Sequence, residues 1–169
     1  VQLPGQGILW RQGDARPRGL EDGGVLWHGF ITDVTERKQI EAELQVFATT
    51  DFLTQLSNNR HFIQLLEAEL AHVQRSAGHS AAILMFDLDH FKAINDRWGH
   101  SVGDQALRHF AAILWAQLRK TDAAGRMGGE EFAVVLSNAN IDEAMTFAQR
   151  IQHELAESPV LHGEERTHG

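Results

Sequence analysis

The sequence predicts an α+β fold: a mainly antiparallel sheet packed by helices. Three observations carry that reading. From residue 58 the predicted elements run helix, strand, helix, helix, strand, strand, helix, an order that suits helices layered on a sheet. The last two strands flank Gly128-Gly129, the composition of a hairpin turn. Each helical segment carries one apolar stripe at helical spacing, so each has one face to bury.

The elements follow in order. Residues 7–34 read as β structure, with Ile8–Arg11 and Val25–Asp33 strand-like and Glu21-Asp22-Gly23-Gly24 as a hairpin turn. Then the period changes. Asp33 or Thr35 caps a helix over 35–48, Glu36 stands three residues after Asp33, and Ile40, Leu44 and Phe47 follow at helical spacing. A second helix is expected from about Asn58 to Ser76, with Phe62, Leu65, Leu66, Leu70 and Val73 inward and Gly78-His79-Ser80 as its break. Ala81–Phe86 is an apolar run of strand length, which predicts a buried strand. A short helix around Phe91–Asp96 and a turn at Trp98-Gly99-His100 come next. Ser101 and Asp104 form a capping-box pattern before a long helix carrying Leu107, Phe110, Ala111, Leu114 and Leu118. Ala123–Met127 and Glu131–Leu136 are the hairpin strands. Asn140 and Glu143 cap a last helix that buries Ala144, Phe147, Ala148, Ile151 and Leu155 and ends at Ser158-Pro159.

Composition narrows the function. The 169 residues suffice for one domain plus a connecting element. The start, Val1–Gly7, has no initiator Met and no signal-peptide pattern, so the chain reads as a fragment or processed piece. No apolar run approaches the roughly 18 residues of a membrane span, so no membrane contact is expected within the chain. Without cysteine there are no disulfides or thiolate metal sites, which fits a cytoplasmic location. A net charge of -8 argues against nucleic acid, because phosphate neutralisation needs a Lys/Arg surplus. It leaves room for a single nucleotide held through a metal. The ten histidines are scattered, with no pair in a zinc-binding frame.

Two acidic loops carry the candidate chemistry. Asp87-Leu88-Asp89 ends the predicted buried strand, and Gly128-Gly129-Glu130-Glu131 tips the hairpin. If the two strands are neighbours, Asp87 and Glu130 converge. Paired carboxylates repel unless a cation sits between them. An all-oxygen donor set suits Mg²⁺ or Mn²⁺. Gly128 and Gly129 let the backbone approach a bulky ligand. Lys92 near a helix start suits triphosphate oxygens, and the amide of Asn95 with the carboxylate of Asp104 matches guanine's acceptor and donor edge. Taken singly, each has an ordinary reading. The Gly-Gly hairpin is then a turn with a solvated end, Asp104 a cap, Asn95 a turn residue, Lys92 a solvated face, and Phe91 and Trp98 core.

The blocks do not stand singly. Asp87-Leu88-Asp89-His90-Phe91-Lys92-Ala93-Ile94-Asn95-Asp96, Gly99-His100, Gly103-Asp104 and Arg126-Met127-Gly128-Gly129-Glu130-Glu131-Phe132 together resemble the GGDEF family of diguanylate cyclases, with GGEEF as the signature. Asp51-Phe52-Leu53-Thr54-Gln55-Leu56-Ser57-Asn58-Asn59-Arg60 is similar to that family's opening segment, departing at Phe52, Gln55, Ser57 and Asn59. The resemblance implies a nucleotidyl-cyclase palm-like fold. It also implies a reaction: two GTP joined into cyclic di-GMP with release of pyrophosphate, on a homodimer. Asp87, Glu130 and the Leu88 carbonyl would bind Mg²⁺ or Mn²⁺. Glu131 would be a further acidic ligand or activate the nucleophile, which makes Glu130 and Glu131 the catalytic pair. Lys92 would contact phosphate, Asn95 and Asp104 guanine, and Phe91, Gly128 and Gly129 would complete the substrate site. Arg119-Lys120-Thr121-Asp122 matches the family's RxxD inhibitory motif, so Arg119 and Asp122, with Arg150, would bind cyclic di-GMP as an allosteric product. A non-catalytic GTP-sensing or cyclic di-GMP receptor module is the alternative.

Residues Gly7–Leu44 resemble the end of a PAS sensor domain, through Trp10, Gly23, Trp27, Gly29 and Asp33-Val34-Thr35-Glu36-Arg37-Lys38. The implied organisation is 1–34 as last PAS strands, 35–50 as a signalling helix, and 51–169 as a GGDEF domain lacking its final strand and helix.

Overall fold

The structure is a computed structural model that describes residues 2–3 and 7–158. The expectation that Pro159 helps end the last helix lies outside the described residues. The chain divides into two compact units, Val1–Phe47 and Ala48–Gly169.

In the first unit, β1 (Gln2–Leu3) pairs with β2 (Gly7–Ile8), and β3 (Arg11–Gly19) pairs antiparallel with β4 (Val25–Asp33). The partner of Val25–Asp33 is therefore Arg11–Gly19 and not Ile8–Arg11. The turn explains the correction. Leu20 N–H donates to the Gly24 carbonyl at 2.8 Å, and Gly23 supplies the positive φ of 82°. A ladder closed there runs without a slip from Gly19↔Val25 to Arg11↔Asp33. Residues 11–19 lack alternating apolar side chains, so periodicity did not reveal the strand. Helix α1 (Thr35–Thr49) follows, started by the Thr35 N–H donating to Asp33 Oδ1 at 3.0 Å. Ile40, Leu44 and Phe47 lie exposed on it.

In the second unit a four-stranded sheet has the order β5 (Ser57–Asn58), β7 (Ala123–Gly128), β8 (Glu131–Ser137), β6 (Ala81–Asp87). Among the described residues only the β5–β7 pairing is parallel. The helices are α2 (Asn59–Arg75), α3 (Phe91–Trp98), α4 (His100–Gln117) and α5 (Ile141–Glu157). Strand β8 is central and buried from Phe132 to Leu136. Its side chains alternate between two cores. Phe132, Val134 and Leu136 pack with Leu107, Phe110, Leu114, Phe147 and Ile151 of α4 and α5, while Ala133 and Val135 pack with Phe62 of α2. The cap of α5 is as expected, with Asn140 and Glu143 completing a capping box, and α2 is capped by Asn58, whose side chain accepts from His61 N–H.

Several expectations are corrected. Strand β6 pairs with β8 alone among the described residues, so it is an edge rather than a buried strand. Ala82, Leu84 and Phe86 face the core, but Ile83 and Met85 are 49% and 65% exposed. Leu70 is also exposed. Ser101 and Asp104 make no capping box, because α4 starts earlier. Gly99, at φ 82°, is the N-cap, and its carbonyl accepts from Val102 and Gly103 N–H. Ser101 thus sits inside the first turn, and Asp104 is left out of any cap. Trp98 is half exposed, with the Arg97 guanidinium 4.7 Å from its ring centroid, rather than core. No helix among the described residues is long and apolar enough to cross a membrane.

Candidate active site

The sheet brings the two acidic loops together. Asp87 and Glu131 are Cα partners at one end of the β6–β8 ladder, and just beyond them the Leu88 N–H donates to the Glu130 carbonyl at 3.3 Å. Side chains at such paired positions leave the sheet on the same face with Cβ atoms about 5 Å apart. The Leu88 carbonyl accepts the Phe91 N–H at 3.3 Å, which starts α3 after His90 in the left-handed region (φ 60°). Lys92 lies exposed in the first turn of α3. Among the described residues no three His, Cys, Asp or Glu side chains converge closely enough to hold an ion by themselves. Asp87, Glu130 and Glu131 share a sheet end without forming a three-carboxylate cage.

The hairpin tip is held from below by a set of contacts that the motif reading did not assign. Arg126 donates through Nε and Nη2 to the Gly129 carbonyl at 2.9 and 2.8 Å, and its Nη1 reaches Asp51 Oδ2 at 3.4 Å. Asp51 Oδ1 also accepts from the Thr54 N–H at 2.8 Å and the Thr54 hydroxyl at 2.7 Å. Burial pushes the Asp51 carboxyl up, but the Thr54 donors and the Arg126 guanidinium outweigh it and hold the group below its usual range. Asn59 Nδ2 donates to the Met127 carbonyl at 3.1 Å on the same hairpin. The tip itself needs its glycines: Gly129 has φ 51° and Gly128 has φ 156°. The signal for this bracing was the position of Arg126, two residues before the Gly pair, and the Asp51-to-Thr54 spacing of a side-chain-closed turn.

The expected guanine contacts are close in space. A Cβ added to Gly103 would lie 1.9 Å from Asn95 Oδ1, so only glycine next to Asp104 admits Asn95 there. Asn95 Oδ1 is buried and has no partner among the described residues, a polar atom that calls for a donor. Phe91 is half-buried against the core, with its Cζ beside the same glycine.

A second cluster lies at the other end of β7, roughly 20 Å away by strand rise. Arg119, Asp122 and Arg150 line one cavity with Gln117, Glu143 and Phe147. Asp122 is fixed by two backbone donors: Arg119 N–H at 2.8 Å to Oδ2 and Ser137 N–H at 3.1 Å to Oδ1.

A family model described as "Diguanylate cyclase, GGDEF domain" matches residues 48–168. The chain belongs to this GGDEF family. It is 39% identical over 132 residues to the probable diguanylate cyclase DgcC of Escherichia coli, covering 77% of this chain and 35% of that protein. It is 35% identical over 133 residues to a diguanylate cyclase of Vibrio cholerae, covering 79% of this chain and 41% of that one. The chain thus spans about two fifths or less of these relatives. In structure it resembles the coiled coil and GGDEF domain of DgcB from Caulobacter crescentus in complex with c-di-GMP: TM-score 0.73, 27% identity, 78% of this chain and 69% of that one. The GGDEF match takes in both acidic loops and the Arg119/Asp122 cluster, and it begins at Ala48, the first residue of the second unit.

Proposed function

We propose that this GGDEF chain is a diguanylate cyclase, condensing two GTP into cyclic di-GMP with release of pyrophosphate. The observation that carries the reading is the ladder end where Asp87 stands opposite Glu131 and Leu88 is tied to Glu130. Its donors are carboxylates and a carbonyl, the chemistry a hard divalent cation requires. Asp87, Glu130, Glu131 and the Leu88 carbonyl would hold Mg²⁺ or Mn²⁺, and the cation would offset charge on the attacking and leaving oxygens. Asn95 and Asp104 orient guanine, and Lys92 steadies phosphate oxygens. Gly128 and Gly129 leave the turn bare enough for the nucleotide to approach, and Phe91 walls the base side. Glu131 takes the proton as the 3′-oxygen of one GTP attacks the α-phosphorus of the other and the P–O bond to pyrophosphate breaks. A second such transfer closes the ring.

Each site offers groups for one GTP, so turnover needs a homodimer. The exposed Ile40, Leu44 and Phe47 stripe of α1 is a suitable pairing face. The Arg119/Asp122/Arg150 cluster takes the product and limits synthesis. Residues 7–34 belong to a sensor module, since a lone two-stranded hairpin with exposed Trp27, Phe30 and Ile31 is marginal in water.

The test is incubation of the folded dimer with GTP and Mg²⁺, with cyclic di-GMP and pyrophosphate read by chromatography. Both products are expected, and neither without the metal. A folded dimer that binds cyclic di-GMP and makes none would favour the receptor alternative.

A further inference from the structure

We propose that Trp115 is a base-stacking wall of the Arg119/Asp122 site, so that one cyclic di-GMP spans two adjoining grooves. The inference rests on the product-binding reading above and adds a second contact region to it.

Trp115 lies in the last turn of α4 and is 68% exposed. Its exposed indole offers a flat apolar face with a polar N–H at its edge, a combination suited to contact with a ligand. It lines a groove of about 300 Å³ with Leu118, Arg119, Lys120 and Asp122. It also lines a groove of about 320 Å³ with Leu56, Ala111 and Arg108. Arg119 and Asp122 in turn line the cavity that holds Arg150. The three hollows share lining residues: Trp115 lines both grooves, and Arg119 and Asp122 line one groove and the Arg150 cavity.

The charge along this track suits an anionic occupant such as the cyclic di-GMP of the product-binding reading. The chain carries a net charge of -8, yet Arg108, Arg119 and Lys120 line the grooves with no ion-pair partner among the described residues. Unpaired cations on an acidic protein suit a dianionic ligand. Asp122 is rigid, and each of its oxygens keeps a lone pair beyond its backbone donor, so it can accept from guanine N1 and N2. The Arg119 guanidinium matches the guanine O6 and N7 edge. One base so held leaves the second base and its phosphate beside the indole, where stacking requires only a flat π-face. A mononucleotide fills one groove and cannot use both.

Trp115→Ala and Trp115→Phe separate the proposal from the reading beneath it. Cyclic di-GMP affinity is measured by calorimetry on the full chain, with Arg119→Ala as reference. Trp115→Ala should weaken binding roughly ten-fold while Trp115→Phe stays near the parent, because a phenyl ring still stacks. A second readout is fluorescence of a chain in which Trp10, Trp27 and Trp98 are each changed to Phe. All three are at least half exposed, so no core is lost, and Trp115 remains as sole emitter. Its emission should fall on adding cyclic di-GMP and stay unchanged with GMP. Binding that needs Arg119 but is indifferent to Trp115→Ala, with unquenched emission, overturns this proposal and leaves product binding standing. No binding by the parent chain overturns both.

Discussion

The β6–β8 ladder ends in polar side chains at both ends, and the two ends treat them in opposite ways. At the Ala81↔Ser137 end the groups satisfy one another. Ser137 Oγ donates to Glu69 Oε1 at 2.7 Å, His79 Nε2 lies 3.0 Å from the same oxygen, and the His72 and His79 rings meet edge-on with centroids 4.2 Å apart. At the Asp87↔Glu131 end the carboxylates face outward, and the hydrogen bonds go instead to the backbone that carries them. One end uses its charges to hold the fold. The other holds its backbone so that the charges stay available. Substituting at one end should therefore change stability, and at the other activity.

The largest effect is expected at the open end. Glu131→Gln keeps shape and removes one charge from an exposed position. Turnover of GTP should fall by at least about a hundred-fold, the scale of losing a positioned carboxylate. Stability in urea should stay within about 0.5 kcal/mol, because no partner is stranded. A variant that unfolds more readily, or that keeps parental turnover, would erase the contrast between the ends.

Arg126 lies between the two behaviours, since it serves the open end by a structural contact. Arg126→Ala releases the exposed Gly129 carbonyl to solvent and leaves the half-buried Asp51 carboxylate with its Thr54 donors alone. A loss of about 1–3 kcal/mol in urea melts is expected, with turnover down roughly ten-fold. Arg126→Lys should recover only part of this, because a single nitrogen cannot reproduce the planar guanidinium that places Nε and Nη2 on Gly129 and Nη1 on Asp51. Full recovery by lysine would reduce the brace to simple charge pairing.

Legibility in the sequence followed range. The Gly128-Gly129 tip, the Asn140/Glu143 box and the apolar stripes of α4 and α5 depend on neighbours within a few residues, and they were readable. The Ser101/Asp104 box was also a local pattern, but Gly99 outcompeted it by starting the helix earlier. Pairings across the chain were not readable from periodicity. Nothing in Ser57-Asn58 marks a strand parallel to β7, and the apolar Ala81–Phe86 run gives no sign that one side of β6 is uncovered. The meeting of the two acidic loops was legible because their residues fall in dense motifs at strand ends. The Asp51–Arg126 contact, spanning 75 positions, needed coordinates.

The smallest effect belongs to the sealed end, and its sign is set by Glu69. Burial pushes that carboxyl up, but the Ser137 hydroxyl and His79, with further attraction from His72, more than offset it, so its pKa lies below the ordinary 4.5. A carboxyl depressed in the folded chain binds fewer protons there than in the unfolded chain. Its contribution is complete above the unfolded value and disappears as pH falls through the folded one. Glu69→Gln should thus lower stability at neutral pH by on the order of 1 kcal/mol, leaving GTP turnover alone. As pH falls from about 5 towards 3, parent and variant should converge, because acid neutralises in the parent the charge already missing from the variant. Urea melts across that window measure the gap. A gap that stays constant with pH would mean that Glu69 acts through shape and not charge, and that the two ends of the ladder do not divide charge between fold and chemistry.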